Sequence, residues 1–365
     1  MMRAYRRTST VQQMSVSLVV FVVLMVLLDS GGLYDWALRL ELGPERRVAL
    51  PVFAWVHRAL APLGIEKERR RGLVELARVG WSDDPEALAA AHPVVVSRSV
   101  AVENVATRAV LRVPAVPVPR LVRPARPLVL EGAPPRWSVL PKIPAVKSDE
   151  MRTVALAGDS MMAVGLSPAM LQQAPQYKDL ALLKLFKSGT GLARPEVFDW
   201  QLEYPAMLKD EKPDFIVVAI GANDGQGFVE DGVTYPFGTA GWQRIYAARA
   251  DAYLRMLEAD GATVVWLGLP PMKDGTFDDR IALINRIDYS VVRASPHAIW
   301  YSTTGLEGDS NGRFRDFGEV EGHTARLRQG DGIHLSTDGA TLITAKLLPW
   351  LAAEAQPEVA EVSKK

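Results

Sequence analysis

Five residue types in this chain fit one reaction. Ser160 stands in "AGDSMM" at the end of an apolar run, Gly191 in "SGTGL", Asn223 in "IGAND", and Asp331 and His334 share "DGIH". Acyl transfer needs a nucleophile, a base, a group that orients the base, and donors where the carbonyl oxygen becomes an oxyanion. Ser160 can attack and His334 can take its proton. Asp331, earlier in the same loop, can hold the imidazole tautomer. The amides of Ser160 and of Gly191 or Gly189, with the side-chain amide of Asn223, can face the oxyanion.

Each residue also has a plainer role. Gly158-Asp159-Ser160 before a helix is a common cap sequence, and Asn223-Asp224 and Asp331-Gly332 are turn signals. Their occurrence in this order, each at a strand end or in a loop on the same side, favours chemistry. Asp224 receives no role of its own. His57, His92, His297 and His323 form no pair at metal-ligand spacing, so neither a metal nor a cofactor is called for. With no cysteine, disulfides and thiolate chemistry are excluded.

The elements that must position these residues follow from periodicity. "TVALAGDS", "LALLKLFKSG", "DFIVVAIGAND", "ATVVWLGL" and "AIWYST" are short, continuously apolar runs that read as buried parallel strands. Helical patterns alternate with them: "MMAVGLSPAMLQQ", "PEVFDWQLEYPAMLKD", "TAGWQRIYAARADAYLRMLEADG", "DDRIALINRIDYSVVRA" and Thr337 to Ala353. The expected fold is α/β, a three-layer α/β/α sandwich on a mostly parallel five-stranded sheet of flavodoxin-like order. Ligands bind at the carboxyl ends of such strands, and Ser160, the Ser188–Gly191 segment and Asn223 all lie at those ends. The first of these leads into a helix whose N-terminal N–H groups favour developing negative charge. The polar segment from Gly308 to Gly330, with Arg313, Arg315, Arg326 and Arg328, is placed to shape a pocket. Trp242, Trp266 and Trp300 could stack on sugar rings, although Trp266 and Trp300 fit better as strand core residues.

Lys plus Arg equals Asp plus Glu, at 42 each, so no global charge draws in nucleic acid. Arg3, Arg6 and Arg7 precede the apolar run Met14 to Leu28, the pattern of an export signal, and an uncleaved anchor is favoured over a cleaved signal. Tyr34 and Trp36 fall where an interfacial aromatic belt would sit. Short helical patterns follow; the charged run Glu66 to Arg71 reads as a solvated helix face, and the segment from Val94 as either strand or helix. From Pro114 to Pro144 proline recurs too densely for helix or central strand, so this stretch suits an extended spacer. The expected divisions are 1–32, a cytoplasmic stub and signal-anchor helix; 33–113, a helical membrane-proximal region; 114–150, a linker; 151–356, the α/β domain; and 357–365, a disordered tail.

"AGDSMMAVG", "SGTGL", "IGAND" and "DGIHLSTDG" resemble the four sequence blocks of the SGNH, or GDSL-type, esterase and lipase superfamily, over roughly Val154 to Trp350. The resemblance implies Ser160 as nucleophile, Gly191 and Asn223 as further oxyanion donors, and Asp331 and His334 as the rest of the triad. With its N-terminal apolar segment the chain resembles the membrane-anchored, periplasmic members, which implies an inner-membrane, single-pass protein with its catalytic domain in the periplasm. Such members imply O-acyl, chiefly O-acetyl, groups on envelope carbohydrate or a small ester as substrate, and a membrane-bound acyltransferase as partner. Hydrolysis and acyl transfer share one acyl-enzyme and remain open alternatives. A non-catalytic glycan-binding or scaffolding role is the competing expectation.

Overall fold

The computed structural model describes residues 10–40, 43–78, 94–96, 132–142, 151–177 and 179–352. The expected stub before α1, most of the expected linker and the expected C-terminal tail lie outside the described residues. The chain divides into two units, Met1–His92 with Gln226–Phe228, and Pro93–Gly225 with Val229–Lys365.

The first unit is helical: α1 (Thr10–Leu28), α2 (Ser30–Arg39), α3 (Pro44–Leu60) and α4 (Ile65–Arg78). Helix α1 is largely apolar and exposed from Met14 to Met25 and again at Leu28, with Val26 and Leu27 half-buried. It stops at Asp29, whose carboxylate caps α2 through Gly32 N and pairs with Arg69 of α4 at 3.2 Å. The bend between α1 and α2 is 88°. Among the described residues no single helix is long and apolar enough to cross a membrane, while α1 with α2, and α3 with α4, pass that test as bent pairs by length and composition. The charged run on α4 is solvated, and Arg71 pairs with Glu68 one turn away.

In the second unit the parallel strands are β2 (Arg152–Gly158), β3 (Leu180–Phe186), β4 (Phe215–Ala219), β5 (Thr263–Leu267) and β6 (Ala298–Tyr301), matching the five apolar runs. Val94–Val96 forms β1, antiparallel to β3, so the order is β1-β3-β2-β4-β5-β6 in a six-stranded sheet. The five parallel members thus have the doubly wound order 2-1-3-4-5. The sequence left open whether this Val-rich run is strand or helix; at its start it is an edge strand.

Helices cover both faces. Phe215 of β4 meets Trp350 of α9 (Thr337–Leu351) edge to face, and α9 packs on α5 (Ser167–Gln173). Trp266 of β5 is in register with Val218, three residues from Phe215 and so on the opposite face, where it meets Tyr253 of α7 (Ala240–Leu257). Helices α6 (Trp200–Leu208) and α8 (Gly275–Arg293) flank α7. Trp242, Trp266 and Trp300 are all buried, and Trp242 stacks on Tyr246. None of the three offers a face to a sugar.

Residues 132–142, expected within a spacer, lie instead against the α/β domain. Arg136 donates to the carbonyls of Ser310 and Asp309, and its own carbonyl accepts from Gly305 N. Ser138 Oγ donates to Trp300 O at the open edge of β6 and accepts from Ser302 N. Trp350 Nε1 donates to Pro141 O, and Lys346 sits over the Trp137 ring. A net contribution of roughly 1 kcal/mol per hydrogen bond makes this segment part of the domain's stability. A chain beginning at Gly132 should therefore denature at a higher temperature than one beginning at Met151; identical thermal midpoints would show that the segment adds nothing.

Candidate active site

Strand β2 ends at Gly158, where φ is 133° and an added Cβ would stand 2.0 Å from Ala219 O of β4. Only glycine allows β2 and β4 to close this tightly. The next residue, Asp159, is fully buried, and its carboxylate accepts from Met161 N (2.8 Å), Gly221 N (3.0 Å) and Asn223 Nδ2 (3.3 Å). Burial pushes this carboxyl up to about 7, against the pull of the amides. Ser160 follows at the start of a helical turn, so its amide has no partner four residues back in a helix.

The expected helix after Ser160 does not run on. It breaks at Val164 and Gly165 and resumes at α5, so any dipolar support at Ser160 comes from a single turn. The cause is a close approach: an added Cβ on Gly165, at φ 82°, would lie 2.6 Å from Leu335 O. The break lets the loop carrying His334 descend onto Ser160.

There, His334 Nε2 is 2.8 Å from Ser160 Oγ, and His334 Nδ1 is 2.6 Å from Asp331 Oδ2. The other Asp331 oxygen accepts from Ile333 N and His334 N, so a local turn fixes the carboxylate against the ring. Burial would raise Asp331, but the His334 ring and these two amides outweigh it and hold the carboxyl below its ordinary value. Gly332, at φ 70°, turns the loop where an added Cβ would stand 2.5 Å from Lys273 Cβ, and Lys273 N donates to Gly332 O. Beneath the loop, fully buried Arg328 donates to Ile333 O at 2.8 Å and to Pro271 O at 2.6 Å, tying the histidine loop to the segment after β5. Arg328 is therefore a support of the loop, not the pocket-lining group expected from its polar surroundings.

The side chain of Asn223 reaches the same place from the end of β4. Its Nδ2 donates to Thr190 O at 2.8 Å as well as to Asp159. Gly189 has φ 71° and makes the turn of the glycine loop, whereas an added Cβ on Gly191 would meet Asp224 Oδ1 at 2.1 Å. The structure thus brings together Ser160, His334 and Asp331 as one hydrogen-bonded relay, with Asn223 and the glycine loop beside Asp159.

The structure gives Asp224 a role that the sequence did not. Its carboxylate is buried, accepts from Leu192 N (3.0 Å) and Ala193 N (2.8 Å), and meets Tyr246 OH at 3.4 Å. It anchors the chain just after Gly191. Burial pushes it up to about 6, against the amides of Leu192 and Ala193. Tyr246 OH also meets Asp288 of α8 at 3.5 Å, and Asp288 is held well above the carboxylate range by burial and by Asp224. Among the described residues no cluster of His, Asp and Glu is built to hold a metal ion.

The family model described as DUF459, a protein of unknown function, matches residues 153–350, more than half of the chain. The chain belongs to this family. No curated protein matches the sequence of this DUF459 member. Solved structures similar to it include the acetylxylan esterase Axe2 from Geobacillus stearothermophilus, at 12% identity over 55% of this chain and 94% of that one, TM-score 0.39. A carbohydrate esterase of family 3 from Talaromyces cellulolyticus is 15% identical over 56% and 100%, TM-score 0.38. TesA is 21% identical over 55% and 99%, TM-score 0.36.

The buried acids can be tested one at a time. Asp224→Asn replaces an acceptor oxygen by an NH2 group, leaving an amide of Leu192 or Ala193 unpaired at a cost of about 1–3 kcal/mol and releasing the Gly191 loop. Turnover should fall with KM little changed, in steady-state kinetics checked by denaturation; full activity would show the anchor to be idle. Asp288→Asn concerns pH. A carboxyl with a raised folded pKa contributes stability below its unfolded value and loses it as pH rises through the folded value. The variant should therefore gain more over the native chain in urea denaturation at about pH 8 than at about pH 5. An equal gain at both would refute the buried-charge account.

Proposed function

We propose that this DUF459 chain is a serine ester hydrolase or O-acyltransferase of the SGNH type. The continuous relay from Ser160 Oγ through His334 to Asp331, at 2.8 and 2.6 Å, carries this reading. With Nδ1–H donating to Asp331, Nε2 presents a lone pair to the Ser160 hydroxyl. Ser160 Oγ attacks the acyl carbonyl carbon as its proton passes to Nε2. The carbonyl oxygen becomes an oxyanion facing the amides of Ser160 and Gly191 and the side chain of Asn223. Asn223 is held ready on Thr190 O and Asp159 and gives up its longer bond, to Asp159, when it turns to the oxyanion. The C–O bond to the alcohol then breaks, and the alcohol leaves with the proton from Nε2. Water, or a sugar hydroxyl, resolves the acyl-enzyme by the reverse sequence, returning the proton to Ser160.

O-acetyl groups of envelope carbohydrate are the substrate this reading assigns, on the strength of the four sequence blocks and the apolar N-terminal helix that precedes the domain. In the same reading α1 inserts in the inner membrane, the domain works in the periplasm, and a membrane-bound acyltransferase is its partner.

Ser160→Ala should leave only background hydrolysis of an acetyl ester. Asn223→Ala should lower kcat by roughly 10² to 10³, and Asp331→Asn should also lower it, with KM little changed because these groups act in the transition state. Near-native turnover in Ser160→Ala, or a folded chain that no serine-directed reagent labels, would point to a binding protein instead.

A further inference from the structure

Helix α3 is built inside out for a helix in water. Arg46, the buried residue of this helix, and half-buried Leu50, Phe53 and His57 share its inner face. His57 stacks on Tyr34 of α2 with centroids 5.4 Å apart, and Phe53 meets Trp36 edge to face. The outer face carries Val48, Val52 and Trp55, at helical spacing and 69%, 51% and 69% exposed. Pro51 and Ala59 share this face, and Leu63, in the tighter turn after α3, extends it at 62% exposed. A soluble helix places charge on such a face. Here the exposed arginines, Arg47 and Arg58, stand along one flank of the stripe, and exposed Glu45 stands on the other flank in the first turn.

We propose that this outer face of α3 lies in the interfacial layer of an anionic lipid bilayer, as a second membrane contact beside α1. The inference rests on the membrane reading of α1 and goes beyond it. With an 88° bend at Asp29, α2 runs along the membrane plane when α1 stands along its normal. Asp29 holds that bend through Gly32 N and Arg69, and an added Cβ on Gly31 would lie 2.3 Å from the Glu66 carboxylate of α4, so the helices are closely seated. Helix α3 packs on α2 and is carried into the same layer. An aromatic at the headgroup level and arginines reaching sideways to phosphates are what that layer favours, and Trp55, with half-exposed Trp36, supplies the aromatic. Lipid is also the occupant that continues the exposed apolar surface of α1 without a change of chemistry.

The native chain has no cysteine, so single introduced thiols report alone. Full-length Phe21→Cys, Val52→Cys, Trp55→Cys and Lys212→Cys would be placed in vesicles of phosphatidylcholine and phosphatidylglycerol. Labelling by a water-soluble maleimide would then be timed, after circular dichroism confirms folding. Thiols at positions 21, 52 and 55 should react several-fold more slowly than the one at 212, and the protection at 52 and 55 should weaken when phosphatidylglycerol is omitted. Fast labelling at 52 and 55 with protection at 21 would overturn the proposal and leave the anchor standing. Fast labelling at all four would overturn both. Disulfide-linked dimers of the Val52→Cys variant would assign the face to a second copy and overturn the lipid contact.

Discussion

One buried carboxylate gathers the working ends of this domain. A carboxyl group taken out of water is costly unless donors surround it, and the donors around Asp159 come from separate places: Met161 N in the turn that holds Ser160, Gly221 N at the end of β4, and the side chain of Asn223. Satisfying this one buried carboxyl group therefore sets the spacing of the serine turn and the asparagine turn together. The glycine at Gly158, pressed on Ala219 O, gives the two strands the closeness that this requires.

A second acid does the same work one loop away. Asp224 lies next to Asn223 in sequence but turns to the glycine loop, taking the amides of Leu192 and Ala193, while Tyr246 stands between it and Asp288. On the other side of Ser160, Arg328 ties the histidine loop, at Ile333 O, to the segment after β5, at Pro271 O. The reacting side chains thus sit on turns and loops, each fixed from below by a buried ionisable side chain making bonds to backbone. Rigid loops of this kind present donors in place before an oxyanion forms.

The parallel strands were legible because a strand buried on both faces demands an unbroken apolar run, as in "FIVVA" and "TVVWL". Ser160, Asp331 and His334 were legible because their chemistry restricts residue type. Asp159 was not, since a capping aspartate and a buried one look alike; the partner that distinguishes them, Gly221, is 62 residues downstream. Asp224 read as a turn residue for the same reason. The break at Gly165 depends on Leu335 O, a contact that no local periodicity announces. Proline density between Pro114 and Pro144 argues against helix, and residues 132–142 form none, but that density does not reveal that the carbonyls and side chains of Arg136 to Pro141 find partners on the domain.

Both open margins of the sheet are covered by chain that precedes it: β1 lies along β3, and Ser138 occupies the outer side of β6 at Trp300 O. During synthesis β1 can pair as soon as β3 is made, whereas the segment around Ser138 has nothing to close on until Ala298–Tyr301 and Trp350 exist. That second cover must therefore close late, although its residues precede the parallel strands. In the interval, the bare margin at β6 invites pairing between neighbouring chains. A waiting segment rich in proline, which lacks the N–H that a ladder needs, is poorly suited to pair wrongly before its own place is ready.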